Sequence, residues 1–135
     1  MKVLFDSNVI IDAITMRDNS NKGSVDLYLR AVSGEISGYL VSKQITDIAY
    51  VLRKYVDKSR IRSFVLFLCR SFIILPFARE DIEKSAMIEG KDFEDDILIH
   101  MAQVNGLDCI VTNNLNNFIS DRIRVFSPDG LVNII

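Results

Sequence analysis

Only two cysteines occur among the 135 residues, Cys69 and Cys109, far apart and each inside an apolar run (FVLFLCRSF and LDCIVT). Neither has metal-ligand spacing, so both are expected as small core residues in a reduced, cytoplasmic setting. Histidine is scarcer still. His100, the single one, falls on a helical face with Asp96 and Gln103 and is expected at the surface or an edge, outside any chemistry. Basic residues are not in excess: sixteen Lys and Arg against eighteen Asp and Glu leave a net charge of -2. That balance argues against tight, non-specific nucleic-acid binding but leaves room for a local basic stripe. Long hydrophobic runs are missing too. The longest apolar stretch, FVLFLCRSFIILPF, is broken by Arg70 and Ser71 and falls short of a membrane span. Three apolar residues before Asp6 are too few for a secretory core, and nothing points to export or a membrane. No internal repeat, low-complexity tract or linker interrupts the chain.

What is present is an ordinary globular composition, 49% hydrophobic and 25% charged, in a length suited to a single domain over residues 1–135. Short apolar runs, VLF at 3–5, GYLVS at 38–42, FIILP at 72–76, CIVT at 109–112 and RVFS at 124–127, alternate with longer helical patterns. Ile45, Ile48, Ala49, Leu52 and Val56 illustrate the 3.6-residue spacing, as do Ile97, Leu98, Met101, Ala102 and Val104. This alternation implies βαβ units: an α/β fold with a mostly parallel sheet covered on both faces. Turn signals agree, with Gly34 and Gly38 around the second strand, Pro76 closing the third, Asn105-Gly106 before the fourth and Pro128-Asp129-Gly130 after the fifth.

Charge is unevenly spread. Six basic residues (Arg53, Lys54, Lys58, Arg60, Arg62, Arg70) face only Asp57 between positions 53 and 70, whereas eight acids stand between 80 and 96 against Lys84 and Lys91. Two solvated helix faces would explain this much. The acidic block, however, ends in KDFEDDILIHMA, where Asp92, Asp95 and Asp96 introduce a helix. Helix N-termini favour acids, so Asp92 reads as an N-cap. Asp95 fits that reading less well, because it shares a helical face with Ile99 and Ala102, and an acid on an inward stripe needs a partner or a cation. The opening MKVLFDSNVIID poses a similar problem: a buried strand ends on Asp6. Asp47 is a milder case, for which the helix dipole or a pair with Lys43 or Lys54 suffices. The strand end CIVTNN carries Thr112, Asn113 and Asn114, which an Asn-rich turn explains equally well. In a parallel α/β sheet, ligands bind outside the carboxyl ends of the strands where the strand order reverses. If the first and fourth strands flank that point, Asp6 and Asn114 become neighbours and Asp47 and Asp95 converge on one pocket. Crowded carboxylates repel unless a cation neutralises them, and hard oxygen ligands suit Mg²⁺ or Mn²⁺.

FDSNVIID, ITDIAYVLRK, DFEDDILIHMA and IVTNNLNNF, in this order and at these separations, resemble the PIN-domain ribonucleases, whose best-known members are the toxins of VapBC-type toxin–antitoxin pairs. The likeness runs from Met1 to the Pro128 region. It implies a three-layer α/β/α fold with a five-stranded parallel sheet in the order 3-2-1-4-5, and a Mg²⁺- or Mn²⁺-dependent endonuclease acting on single-stranded or looped RNA. By the same resemblance, Asp6 matches the acid after the first strand and Asp95 the acid opening the helix before the fourth, with Asp92 an additional acid of that motif. Asp47 stands where many members carry Glu, completing a catalytic and metal-binding set of Asp6, Asp47, Asp95 and Asp92. Ser7 and Asn8 match residues that brace the site, and Thr112 the Thr that ends the fourth strand. Asn114 and Asn117 replace aspartates common in the family, which removes charge from a second metal position and points to a single-metal or degenerate site. A homodimer and an antitoxin partner are implied too, with Val51 to Phe72 as a candidate interface or simply core.

The basic run gains a second reading as an RNA track, with Arg53, Lys54, Arg60 and Arg62 as its candidates. Rival enzymes fare worse. A haloacid-dehalogenase-type phosphatase needs a second Asp where Asn8 stands, and a phospho-receiver needs an acceptor Asp at the end of the third strand, where FIILPF has none, and a Lys after the fifth, where none follows. The remaining alternative is a catalytically degenerate PIN-like module that binds RNA or a protein partner.

Overall fold

The computed structural model describes residues 1–16, 22–118 and 120–135. Its elements run β1 (Lys2–Phe5), α1 (Ser7–Thr15), α2 (Lys22–Val32), β2 (Ser37–Val41), α3 (Ser42–Leu52), α4 (Lys58–Ser71), β3 (Ile73–Leu75), α5 (Arg79–Ala86), α6 (Phe93–Val104), β4 (Cys109–Val111), a 3₁₀ turn (Leu115–Asn117), β5 (Arg124–Phe126) and α7 (Pro128–Val132). Every strand falls within one or two residues of its apolar run. All pairings are parallel, and the sheet order is β3-β2-β1-β4-β5, as the resemblance implied.

A side-chain period of two sorts the strand residues between two cores. Val3 and Phe5 of β1, Leu40 of β2 and Cys109 and Val111 of β4 join Val9, Ile10, Leu27, Ile48, Leu52 and Leu68 of α1 to α4, with Leu131 of α7. Their neighbours Leu4, Val41 and Ile110 point the other way, onto Ile97, Leu98, Met101 and Ala102 of α6. Helices therefore cover both faces, which explains why the central strands read as unbroken apolar runs.

Two glycines are dictated by this packing. Gly38 of β2 lies against the Phe72 ring, and an added Cβ would stand 2.6 Å from that ring. Gly106 adopts φ +65° after α6, the left-handed conformation that ends a helix at little steric cost in glycine. Two sequence expectations are corrected. Cys109 is buried, but Cys69 is exposed, because α4 lies on the outside and buries only Leu68 fully. His100 is not at the surface: α5 packs on α6 and covers it, leaving it 6% exposed with Nε2 2.8 Å from Asp81 Oδ1. Among the described residues, no helix is long and apolar enough to cross a membrane.

Candidate active site

The chain leaves β1 toward β2 and β3 on one side and returns to β4 and β5 on the other, so the strand order reverses between β1 and β4. The residues just past those two strands are Asp6 and Thr112. Backbone hydrogen bonds hold them in line with the sheet: Asp6 N–H donates to the Val111 carbonyl and Thr112 N–H to the Phe126 carbonyl, both at 2.9 Å. Across the gap the Thr112 hydroxyl donates to Asp6 Oδ2 at 2.7 Å. Burial pushes the Asp6 carboxyl up from its ordinary range, while the Thr112 hydroxyl and the Ser7 and Asn8 amides pull it back and the charge of Glu94 adds to the rise.

Behind Asp6 lies a residue that sequence reasoning missed. Gln44, 3% exposed in the first turn of α3, accepts from Val41 N–H at 2.7 Å and donates through Nε2 to the Phe5 carbonyl at 2.9 Å and the Ser7 hydroxyl at 3.1 Å. One side chain thus ties together the ends of β1 and β2 and the start of α1. A polar Gln just after YLVSK was its sequence signal, but nothing in the sequence showed which atoms it would meet. Asn8 is held on the opposite side, its Oδ1 accepting from the Asn113 N–H at 3.3 Å. Asn113 Nδ2 in turn donates to Asp12 Oδ2 at 2.6 Å, so the Asn-rich turn is bound to α1.

Asp6, Asp47 and Asp95 line one open pocket of about 310 Å³ together with Ser7, Lys43, Gln44, Tyr50 and Glu94. They are not equivalent. Asp95, in the first turn of α6, forms no ion pair among the described residues, and its carboxyl is pushed up to about 7 by burial first and then by the charges of Asp6, Asp92, Glu94 and Asp96. Asp47 is exposed and paired with Lys43 Nζ at 3.0 Å, and the same ammonium lies 3.9 Å from Glu94 Oε1. Its sequence reading as a partner of Lys43 therefore describes its contacts in this structure. Asp92 does not line the pocket. It is the N-cap of α6, accepting from Glu94 N–H at 2.8 Å and Asp95 N–H at 3.4 Å. Asp96 points away as well, buried and accepting from Gly90 N–H at 2.9 Å.

Asn114 does not join Asp6 through its side chain. Its backbone N–H donates to Thr112 Oγ1 at 3.0 Å, and the residue lines a neighbouring cavity of about 390 Å³ with Ser24, Asn113, Asn116, Asn117 and Asp129. Of the basic candidates, Arg53 reaches the rim: its guanidinium lies over the ring of Tyr50, 4.0 Å from the centroid. Lys54, Arg60 and Arg62 are exposed, and Arg60 borders a separate apolar cavity with Tyr28, Phe64 and Phe67.

Among the described residues, no group of three or more His, Cys, Asp and Glu side chains is close enough to hold a metal jointly. The donor set still fits a hard divalent ion. Mg²⁺ binds through one or two carboxylates and keeps its remaining waters. Asp6 and Asp95 are two such groups on one pocket, each raised by burial, with Asp95 raised further by the charge of Asp6 and both by that of Glu94, which is the electrostatic condition a cation relieves.

Fold and site together define an α/β protein with an acidic, oxygen-lined pocket at the switch point of a parallel sheet. The sequence pattern of the PIN domain matches residues 2–116, and the chain belongs to the PIN domain family. It is 30% identical over 133 residues to Ribonuclease VapC1 of Aquifex aeolicus (strain VF5), an alignment covering 95% of this chain and 91% of that protein. Among solved structures, a toxin–antitoxin complex from Klebsiella pneumoniae is similar with a TM-score of 0.67 at 21% identity, covering 93% of this chain and 97% of that one. DNA-bound VapBC from Salmonella typhimurium aligns with a TM-score of 0.68 at 18% identity, covering 95% and 98%. At these identities the likeness is one of fold.

Proposed function

We propose that the chain is a metal-dependent endoribonuclease of the VapC kind, a single domain over residues 1–135 acting in the cytoplasm as the toxin of a toxin–antitoxin pair. The observation that carries this reading is the pair Asp6 and Asp95, two carboxylates facing one pocket at the switch point, with Asp95 in no ion pair among the described residues. The 30% identity to a VapC ribonuclease supports the substrate class.

In this reading Asp6 and Asp95 would hold the ion, Mg²⁺ or Mn²⁺, with Asp47 a further acid of the same pocket and Asp92 supporting Asp95 as the cap of α6. Bound there, such an ion would supply positive charge against the scissile phosphate and would lower the pKa of an attacking water. Thr112 and the amides at the start of α1 favour the ionised form of Asp6 and offset part of the rise that burial causes. Gln44 and Asn8 fix the ends of the elements that carry it. Lys43, in the same pocket, offers the phosphate a positive group, since its pairs with Asp47 and Glu94 are partly exposed and weak. The oxygen of water would bond to phosphorus as the P–O3′ bond breaks, one water proton passing through solvent to the departing O3′, which leaves a 5′-phosphate and a 3′-hydroxyl. An antitoxin and a second copy of the chain are the proposed protein partners, in keeping with the toxin–antitoxin complexes of the same fold.

A second reading, a degenerate module that binds RNA or a protein without cutting, has one observation in its favour: Asp47 is engaged by Lys43, and among the described residues no three acids are grouped closely enough to hold a metal jointly. Incubating the purified protein with labelled structured RNA in Mn²⁺ or Mg²⁺ separates the two. Cleavage that stops with EDTA and in Asp95→Asn supports the nuclease; intact RNA across varied substrates, with folded protein, refutes it in favour of the module.

A further inference from the structure

The face of α3 that borders the acidic pocket carries Lys43, Asp47 and Tyr50 at helical spacing of four and three residues, and all three line that pocket. Tyr50 is out of place among them. An aromatic ring on a helix usually finds the core, yet Tyr50 is 60% exposed while Ile48 and Leu52 beside it are buried. It is also held. The Arg53 guanidinium lies over its ring at 4.0 Å from the centroid, and Arg53 Nε donates to the Tyr50 carbonyl at 3.2 Å, so the cation is anchored at both ends of the contact. A cation over one face limits the ring's freedom and leaves the rest of it to solvent at the mouth of the pocket.

An exposed aromatic side chain beside a phosphodiester-sized acidic pocket, backed by a guanidinium, has the chemistry of a stacking platform. We propose that Tyr50 stacks on an unpaired base of the RNA strand next to the phosphate that enters the pocket, with Arg53 as the positioning residue that holds the ring in place. This inference rests on the RNA-cleaving reading of the site and adds a requirement to it: the nucleotide beside the cut must be free of base pairing, because a paired base has its faces covered by its neighbours in the stack. Recognition by stacking tolerates any base, since each presents a π-face. The platform therefore selects single-stranded segments and not a sequence.

The test measures binding apart from cleavage. Fluorescein-labelled single-stranded RNA decamers are titrated with wild type, Tyr50→Leu and Tyr50→Phe in Ca²⁺, with anisotropy as the readout. Tyr50→Leu is expected to bind about tenfold more weakly, the low end of what one base–aromatic stack contributes, and Tyr50→Phe to retain wild-type affinity. An abasic nucleotide scanned along the decamer should weaken wild type by the same factor at one position and leave Tyr50→Leu unchanged there, because the two losses are one contact. On a cleaved substrate, Tyr50→Leu should raise KM with kcat retained. Equal affinities for all three proteins, losses that multiply at every abasic position, or no binding of any decamer by wild type would each overturn the proposal. An RNA bound with the expected Tyr50 dependence but never cut would instead sink the nuclease reading and leave the platform standing.

Discussion

Proton and metal ion should compete for Asp95, and the structure sets the size of the competition. Its carboxyl is raised to about 7 because it is partly buried and stands among Asp6, Asp92, Glu94 and Asp96. A metal binds the ionised form only. With a pKa of about 7, roughly ten elevenths of the groups are ionised at pH 8 and roughly one eleventh at pH 6, so Mn²⁺ affinity should fall about tenfold over that interval. Isothermal titration with Mn²⁺ at pH 6, 7 and 8 measures this directly. Asp95→Asn should bind far more weakly and lose the share of the pH dependence that Asp95 contributes, leaving that of Asp6. The sign of the accompanying stability effect is fixed by the same shift. A carboxyl whose folded pKa lies above its unfolded value stabilises the fold at low pH, and that contribution is lost as pH rises from about 4 through 7. Metal-free Asp95→Asn should therefore gain stability over wild type at pH 8 and little at pH 4. Equal Mn²⁺ affinity at pH 6 and 8 would refute the placement of the ion on Asp95.

Other residues give sharper tests of the scaffold. Gln44→Leu strands the Val41 N–H and removes a donor from the Phe5 carbonyl; chemical denaturation should show a loss of about 3 kcal/mol, and a loss under about 1 would mean that water replaces both bonds. Thr112→Val keeps the shape but removes the hydroxyl that donates to Asp6, so the Asp6 pKa should rise further and the pH midpoint of Mn²⁺ binding move upward, as pH-dependent titration would report. Leu131→Ala should cost about 3 kcal/mol in thermal or urea unfolding, since this residue of α7 is fully buried in the cluster that also holds Val3 and Val9. A near-neutral result would show α7 to be detachable from that core.

Much of the architecture was legible in the chain itself. Five apolar runs separated by helical patterns specify a parallel α/β fold, because strands covered on both faces must be apolar throughout and parallel neighbours need helical crossovers. The unusual carboxylates were legible too: Asp6 closing a buried strand and Asp95 on an inward-facing stripe broke the local pattern, and both lie on the pocket. Local rules also identified Asp92 as a cap and offered Lys43 or Lys54 as a partner of Asp47, of which the structure shows Lys43, four residues away on the same helix. Contacts between distant segments were another matter. Only the tertiary structure decided that Gln44 would hold the Phe5 carbonyl 39 residues away, that α5 would bury His100 against Asp81, that Cys69 would face solvent and that Asn114 would turn from Asp6 into a second cavity. Periodicity tells which face of a helix is apolar, but which partner covers that face, and which polar atoms meet there, follows from how the crossovers bring the elements together in space.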